Sequence, residues 1–358
     1  MPGSVHDALC GQLLVVGLGG VALEDAERRA LASRSRAGVV LFKRNIEPGL
    51  ANVTSLIAAV RDATPSDAPP LVAVDQEGGR VVRLGPPALA LPAMRRLGDL
   101  DDEDLLRRLA SAQARELRAL GFTMSFAPIA DVHTRATNPI IGDRAFATTP
   151  ERVARLAGAW ADGLARGGLL SCAKHFPGHG DTTVDSHLAL PRVERAREEL
   201  DRIEIAPFAA LAKRVDAMMT AHVVYDALDP ARPATLSRAV CTDLVRGALG
   251  FEGVLVSDDL EMQAISHGTG EAAVLAVSAG CDMLLVCSRP DLAEEAHAAL
   301  VREAESSPAF RARCEEAAAR GLAMRRRVPP APVASLAGVF DDGAKLAAEL
   351  ATRLEAGR

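Results

Sequence analysis

Aromatic side chains are scarce in this chain: one tryptophan, one tyrosine and nine phenylalanines, 3% of 358 residues. Proteins that grip nucleic acid need a basic stripe, usually with aromatic platforms for the bases, and the stripe is missing as well. The 47 acidic and 41 basic residues are well mixed and leave a net charge of −6. Nucleic acid and anionic membrane surfaces are therefore poor partners. No cysteine pair has C-x-x-C spacing. The six cysteines (Cys10, Cys172, Cys241, Cys281, Cys287, Cys314) lie at irregular intervals, most of them in apolar runs such as CDMLLVC, and read as small reduced core residues. The N-terminal stretch MPGSVHDALCGQLLVVGLGG lacks a basic leader, and its apolar run is too short and glycine-rich for a membrane span, a secretory signal or a lipoprotein signal. A cytoplasmic protein is expected.

The apolar content that is present, 49% of residues against 25% charged, is ample for a large core. It is concentrated in short runs rich in Val, Ile and Leu at 13–17, 38–42, 71–75, 124–131, 169–176, 217–223, 253–259 and 282–287. Continuously apolar runs of this kind suit parallel strands covered on both faces. Helical patterns lie between most of them; in DDEDLLRRLASAQARELRAL, Leu106, Leu109, Gln113, Leu117 and Leu120 recur at three- and four-residue steps behind an acidic first turn. Eight strand–helix units over about 300 residues fit a (β/α)8 barrel better than an open sheet. We expect a catalytic barrel over residues 8–305 and a short helical C-terminal extension over 306–358, without a second α/β sandwich domain. RVPPAPV (327–333) reads as an extended break, and Leu346, Leu350 and Leu354 mark a terminal amphipathic helix.

Barrel enzymes place their chemistry at the carboxyl ends of the strands, and the polar residues of this chain gather there. Asp75 closes the third apolar run, Arg144 follows the fourth, Lys174 and His175 close the fifth, and Asp258 with Asp259 closes the seventh. Each alone could be a capping or salt-bridging residue; as a set they point to a site.

Residues 174–187, KHFPGHGDTTVDSH, raise the question of a metal, since His175 and His179 have the spacing of a helical zinc pair. Pro177, Gly178 and Gly180 argue against a helix there, so the two rings are not expected to share a face, and no metal or cofactor is expected. GLGGVA (17–22) imitates a dinucleotide fingerprint, but the next strand ends in Lys and Arg where that motif needs an acid. Acid–base and nucleophilic chemistry remains. Asp185 stands two residues from His187, close enough for the carboxylate to fix the ring's tautomer and let it move a proton near neutral pH. Asp258 at a strand end could serve as a nucleophile.

KHFPGHGDTTVDSH, together with DQEGGRVVRLGPP (75–87), NPIIGDRAF (138–146), TAHVVYDALDP (220–230) and VLVSDDLEM (254–262), resembles the β-N-acetylglucosaminidase branch of glycoside hydrolase family 3. The motifs occur in the family's order over roughly residues 8–300. The resemblance implies a (β/α)8 barrel, Asp258 as nucleophile and Asp185–His187 as an acid/base dyad on a loop. It also implies substrate binding by Asp75, Arg83, Arg144, Lys174 and His175. The implied reaction is hydrolysis of a terminal β-linked N-acetylglucosamine with retention, on cell-wall-derived muropeptides in the cytoplasm during peptidoglycan recycling. The expected partner is a small carbohydrate or muropeptide substrate, and the expected state a monomer or weak homodimer. Alternatives are a phosphorylase or a β-glucosidase of the same family and, in a different class, an inactive sugar-binding barrel. A neutral histidine acid/base does not repel an incoming phosphate as a carboxylate would. Pro177, Gly178 and Gly180 are expected to let the loop leave its strand and close over substrate, with His179 bracing it.

Overall fold

The structure is a computed structural model, and it describes residues 5–47, 49–184, 186, 189–331 and 335–356. Eight strands close a parallel barrel in sequence order: β1 (Leu14–Gly17), β2 (Gly38–Leu41), β3 (Leu71–Val74), β4 (Met124–Ser125), β5 (Leu170–Phe176), β6 (Ala217–Thr220), β7 (Val254–Asp259) and β8 (Met283–Val286). Each expected apolar run supplies one strand, and the (β/α)8 barrel read from the sequence is the fold. Helices follow the strands in turn: α1 (Asp25–Ala32), α2 (Leu50–Ala63), α3 (Glu103–Leu120), α4 (Pro150–Arg166), α5 (Ala206–Leu211), α6 (Ala239–Ala248, with π-type turns), α7 (Thr269–Ala279) and α8 (Pro290–Ser306). The run at 124–131 pairs regularly over only two residues, because Pro128 has no amide to give the ladder. Beyond it the chain stays beside β5 through single bonds such as Ala130 N to the Lys174 carbonyl.

Helix α3 shows how the sequence builds the outer layer. Asp102 caps its start, accepting the Leu105 amide at 2.9 Å, and Gly121 ends it in the left-handed region at φ 102°. Its periodic leucines, Leu105, Leu106, Leu109, Leu117 and Leu120, are all buried. At about 2 kcal/mol for each leucine removed from water, this face outweighs any difference in helix propensity.

Strand alternation divides the core in two. Val15, Leu71, Ala73, Leu170, Cys172, Val254, Val256, Met283 and Leu285 fill the barrel interior, while their neighbours in sequence pack against the helices. All six cysteines are free and buried. The amino-terminal end of the barrel is sealed by a further helix, α9 (Pro308–Arg327), whose Met324 enters the interior cluster. Arg325 is buried beside it and donates to the carbonyls of Ala37 and Pro69 at 3.0 and 2.8 Å and to Gln12 at 2.6 Å. Burial lowers its pKa to about 10, which keeps it charged. Arg313 and Arg320 of α9 converge with Arg246 on the fully buried Asp282. The last helix, α10 (Asp341–Ala356), lays Leu346 and Leu350 against the core, on the face the leucine spacing indicates. No helix among the described residues is long and apolar enough to cross a membrane.

Removing the Asp282 carboxylate would leave three guanidinium groups without their shared partner. We expect Asp282→Ala to lower unfolding free energy in denaturant by about 3–5 kcal/mol. Because Asp282 lies at the end opposite the strand termini that carry the site, kcat of the folded fraction should be unchanged. A loss below about 1 kcal/mol would contradict the role given to this cluster.

Candidate active site

Three of the charged groups at the carboxyl end of the barrel continue the inward-facing rows of their strands. The rows Leu71–Ala73–Asp75, Leu170–Cys172–Lys174 and Val254–Val256–Asp258 each place two apolar side chains in the interior and a charged one above them. Asp75, Arg83, Arg144, Lys174, His175 and Asp258 all line one cavity of about 220 Å³, with Phe42, His179, Ser186, Asp259 and Met262 among the other walls. Six of the eight expected site residues are thus brought together. The other two, Asp185 and His187, lie outside the described residues.

The cations of this cavity are fixed by carboxylates. Lys174 Nζ lies 2.7 Å from both Asp75 Oδ1 and Glu77 Oε1. Arg144 makes a two-pronged contact with Glu77, Nε to Oε2 at 2.9 Å and Nη2 to Oε1 at 2.8 Å, and Arg83 reaches Asp75 Oδ2 at 3.2 Å. Glu77 is almost fully buried. Burial would raise its carboxyl, but Arg144 and Lys174 overcome that and hold it well below the usual range. Planar Arg–carboxylate pairing of this kind gives fixed geometry as well as charge neutralisation.

A second buried carboxylate organises the histidines. Asp131 accepts the His175 ring nitrogen Nδ1 at 2.8 Å, the His175 amide at 3.1 Å and the His179 amide at 2.6 Å. Burial opposes its ionisation, and the histidines' attraction and these bonds lower its pKa on balance. With Nδ1 held by Asp131, His175 is left with Nε2 as its remaining polar atom. The His175 and His179 rings meet edge to face with centroids 5.9 Å apart. The His179 nitrogens are taken by Thr182 and Ser186.

Asp258 is held by the same balance. Burial raises its pKa, and His175, His222, the Asp259 amide at 2.8 Å and Lys174 together bring it below the ordinary value. Its neighbour Asp259 has no such support: burial lifts its pKa to about 7 against the Glu261 amide, with Glu261 and Asp258 adding repulsion. One strand end thus holds an ionised carboxylate beside one that is half protonated near neutrality, and only the first has the charge of a nucleophile.

The glycines of the 174–187 segment differ from the expectation of freedom. A Cβ at Gly180 would lie 1.6 Å from the Val132 carbonyl, and one at Gly178, at φ 130°, would lie 2.8 Å from Glu204 Cβ. Tyr225 donates to the Gly178 carbonyl at 2.6 Å. Through residue 182 this segment is packed in place, and its glycines serve close approach. Sequence reasoning missed Glu77, Asp131 and His222. Asp131 obeyed the rule that found the others, since it closes the fourth apolar run; Glu77 and His222 stand inside quoted motifs.

An ionised carboxylate at a barrel strand end, above a small cavity ringed by fixed donors and acceptors, defines a barrel enzyme whose site suits a polyhydroxylated ligand. The comparisons carry this further. Residues 6–322 match the family model described as the glycosyl hydrolase family 3 N terminal domain. A beta-hexosaminidase of Pseudomonas aeruginosa is 44% identical over 294 residues, which is 81% of this chain and 86% of the relative. A solved family 3 β-N-acetylglucosaminidase from Paenibacillus sp. superposes with a TM-score of 0.91 at 39% identity, covering 98% of this chain and 69% of that one. A β-N-acetylhexosaminidase from Beutenbergia cavernae gives 0.84 at 32% identity, covering 91% of this chain and 100% of the other. The chain belongs to glycoside hydrolase family 3 and is a glycoside hydrolase.

Because Glu77 and Asp131 are depressed in the fold, the native chain binds fewer protons than the unfolded chain in their titration range. Their stabilisation is complete above the ordinary carboxylate range and is lost as pH falls toward the lowered folded values. We expect Glu77→Gln to flatten the acid side of the stability profile below about pH 5 and to cost roughly 3 kcal/mol at neutrality. Parallel profiles for variant and wild type in denaturant titrations would count against the clamp.

Proposed function

We propose that this chain is a retaining exo-β-N-acetylglucosaminidase that removes terminal β-linked N-acetylglucosamine. The observation that carries the reading is Asp258: an ionised, half-buried carboxylate at the end of β7, in a cavity walled by Asp75, Arg83, Arg144, Lys174 and His175. A volume of about 220 Å³ is below the roughly 300–1,000 Å³ of pockets that enclose drug-sized ligands, and suits one pyranose ring better than an extended chain. In this reading Asp258 attacks the anomeric carbon while His187, oriented by Asp185, protonates the leaving oxygen. The same histidine then takes a proton from the water that opens the glycosyl-enzyme. Asp75 and the clamped cations would hold the sugar hydroxyls.

The names of the relatives support the acetamido sugar, and the motif resemblance supports muropeptides handled in the cytoplasm as the natural source. We take residues 8–305 as the catalytic barrel and 306–358 as a helical extension, of which α9 serves the barrel as its floor.

The test is turnover of para-nitrophenyl N-acetyl-β-glucosaminide. We expect wild type to release the β-anomer first, seen by proton NMR, and Asp258→Ala to lose roughly 10⁴-fold or more in kcat. First release of the α-anomer, or an unimpaired variant, would overturn the mechanism. Release of sugar 1-phosphate in proportion to added phosphate would identify a phosphorylase instead. For His187→Ala we expect a large loss on alkyl glycosides and a small one on activated aryl glycosides, since good leaving groups need little protonation. Equal losses on both would remove His187 from the acid role.

A further inference from the structure

Ser186 stands between the two residues of the proposed dyad, is nearly fully buried, and lines the cavity. Two elements hold it. Its carbonyl accepts the Ala264 amide at 3.2 Å, in the segment following β7, and its hydroxyl lies 3.2 Å from His179 Nε2. His179 in turn touches Thr182 Oγ1 through Nδ1 at 2.8 Å. Asn138 closes the group: its Nδ2 lies 2.9 Å from the His179 carbonyl and 3.1 Å from both the carbonyl and Oγ1 of Thr182, and its Oδ1 accepts the Ile140 and Ile141 amides, which fixes the orientation of the amide group.

The directions of these bonds follow from donor counting. His179 is buried, and burial together with the nearby His175 lowers its pKa to about 4, so near neutrality it has one donor and one acceptor nitrogen. Thr182 Oγ1 shares the second hydrogen of Asn138 Nδ2 with the Thr182 carbonyl. Its hydrogen has two possible acceptors: His179 Nδ1 at 2.8 Å, and the His179 carbonyl at 3.1 Å, which Asn138 already supplies. The nearer, unsupplied nitrogen takes it, so Nδ1 is the acceptor and Nε2 carries the proton. Nε2–H then donates to Ser186 Oγ, which leaves the Ser186 hydrogen outside this chain of bonds, on a residue that lines the cavity.

We propose that Ser186 is a substrate-contacting hydrogen-bond donor to an oxygen of the bound glycoside, and that Asn138, Thr182 and His179 are positioning residues that turn its hydroxyl toward the cavity. The proposal rests on the glycosidase reading for the identity of its acceptor. The order of the relay does not depend on that reading. Loss of the Thr182 hydroxyl would free His179 to protonate Nδ1, and Ser186 would then donate to Nε2 instead of to substrate.

The test uses the full chain and has two arms. In the first, ¹⁵N NMR of ligand-free protein, with His179 assigned by its absence in His179→Asn, should show a neutral ring protonated at Nε2; protonation at Nδ1 overturns the relay. In the second, Ser186→Ala and Thr182→Val should each lower kcat/KM on para-nitrophenyl N-acetyl-β-glucosaminide roughly tenfold to a hundredfold, with melting temperatures close to wild type. Their combination should be no worse than Ser186→Ala, because both break one chain of bonds, and Ser186→Thr should recover most of the loss. Wild-type kcat/KM in Ser186→Ala, or multiplying losses in the double variant, overturns the proposal. If Ser186→Ala does not fold, Thr182→Val and the tautomer decide it. An inactive wild type with the Nε2 tautomer intact would overturn the substrate assignment and the glycosidase reading, leaving the relay standing.

Discussion

Glu77 is the residue on which the site depends. It is buried at the carboxyl end of the barrel, where an isolated charge would be prohibitively costly, and it is ionised because Arg144 and Lys174 are both within 2.9 Å. The same contacts stop the two cations from collapsing onto Asp258 or reaching solvent. Asp75 completes the arrangement, bridging Lys174 and Arg83. A cavity lined by such fixed, mutually neutralised charges can bind hydroxyl groups without reorganising, which is where polar sites gain most of their advantage over water.

The two aspartates at the end of β7 show what that field does. They are adjacent in sequence and similarly buried, yet their proton affinities are displaced in opposite directions. Both line the cavity, but Asp258 is attracted by His175, His222 and Lys174, whereas Asp259 accepts the Glu261 and Cys287 amides and is repelled by Glu261 and Asp258. Side-chain alternation along a strand decides this: the inward row Val254–Val256 ends on Asp258. Separation of proton affinities between neighbouring carboxyls is the usual mark of assigned catalytic roles.

That alternation was legible without coordinates. Counting by twos from the interior residues of β3, β5 and β7 lands on Asp75, Lys174 and Asp258, and the strand count alone indicated the barrel. Arg144 and His175 were marked by their place after or at the end of an apolar run, whereas Arg83 came from motif resemblance alone, because a loop residue has no periodicity to betray it. Other features escaped for physical reasons. Pro128 shortened β4, which a run of apolar residues does not reveal. Gly178 and Gly180 read as freedom, but the neighbours that require them, Glu204 and the Val132 carbonyl, are distant in sequence. Asp131 was legible as the end of the fourth apolar run, but its partners His175 and His179 lie 44 and 48 residues away, so its role was not. Helix α9 read as an appendage, and only its contacts with Ala37, Pro69 and Asp282 reveal it as the barrel floor.

The central claim is that Asp258 forms the covalent bond to the sugar. The most direct measurement is mass spectrometry of the protein after incubation with an activated fluoroglycoside of N-acetylglucosamine that slows the second step, followed by peptide mapping. The account predicts one sugar per chain on the peptide containing Asp258, released on exposure to an acceptor. A label on any other carboxylate, or turnover of the reagent without a label, would contradict it.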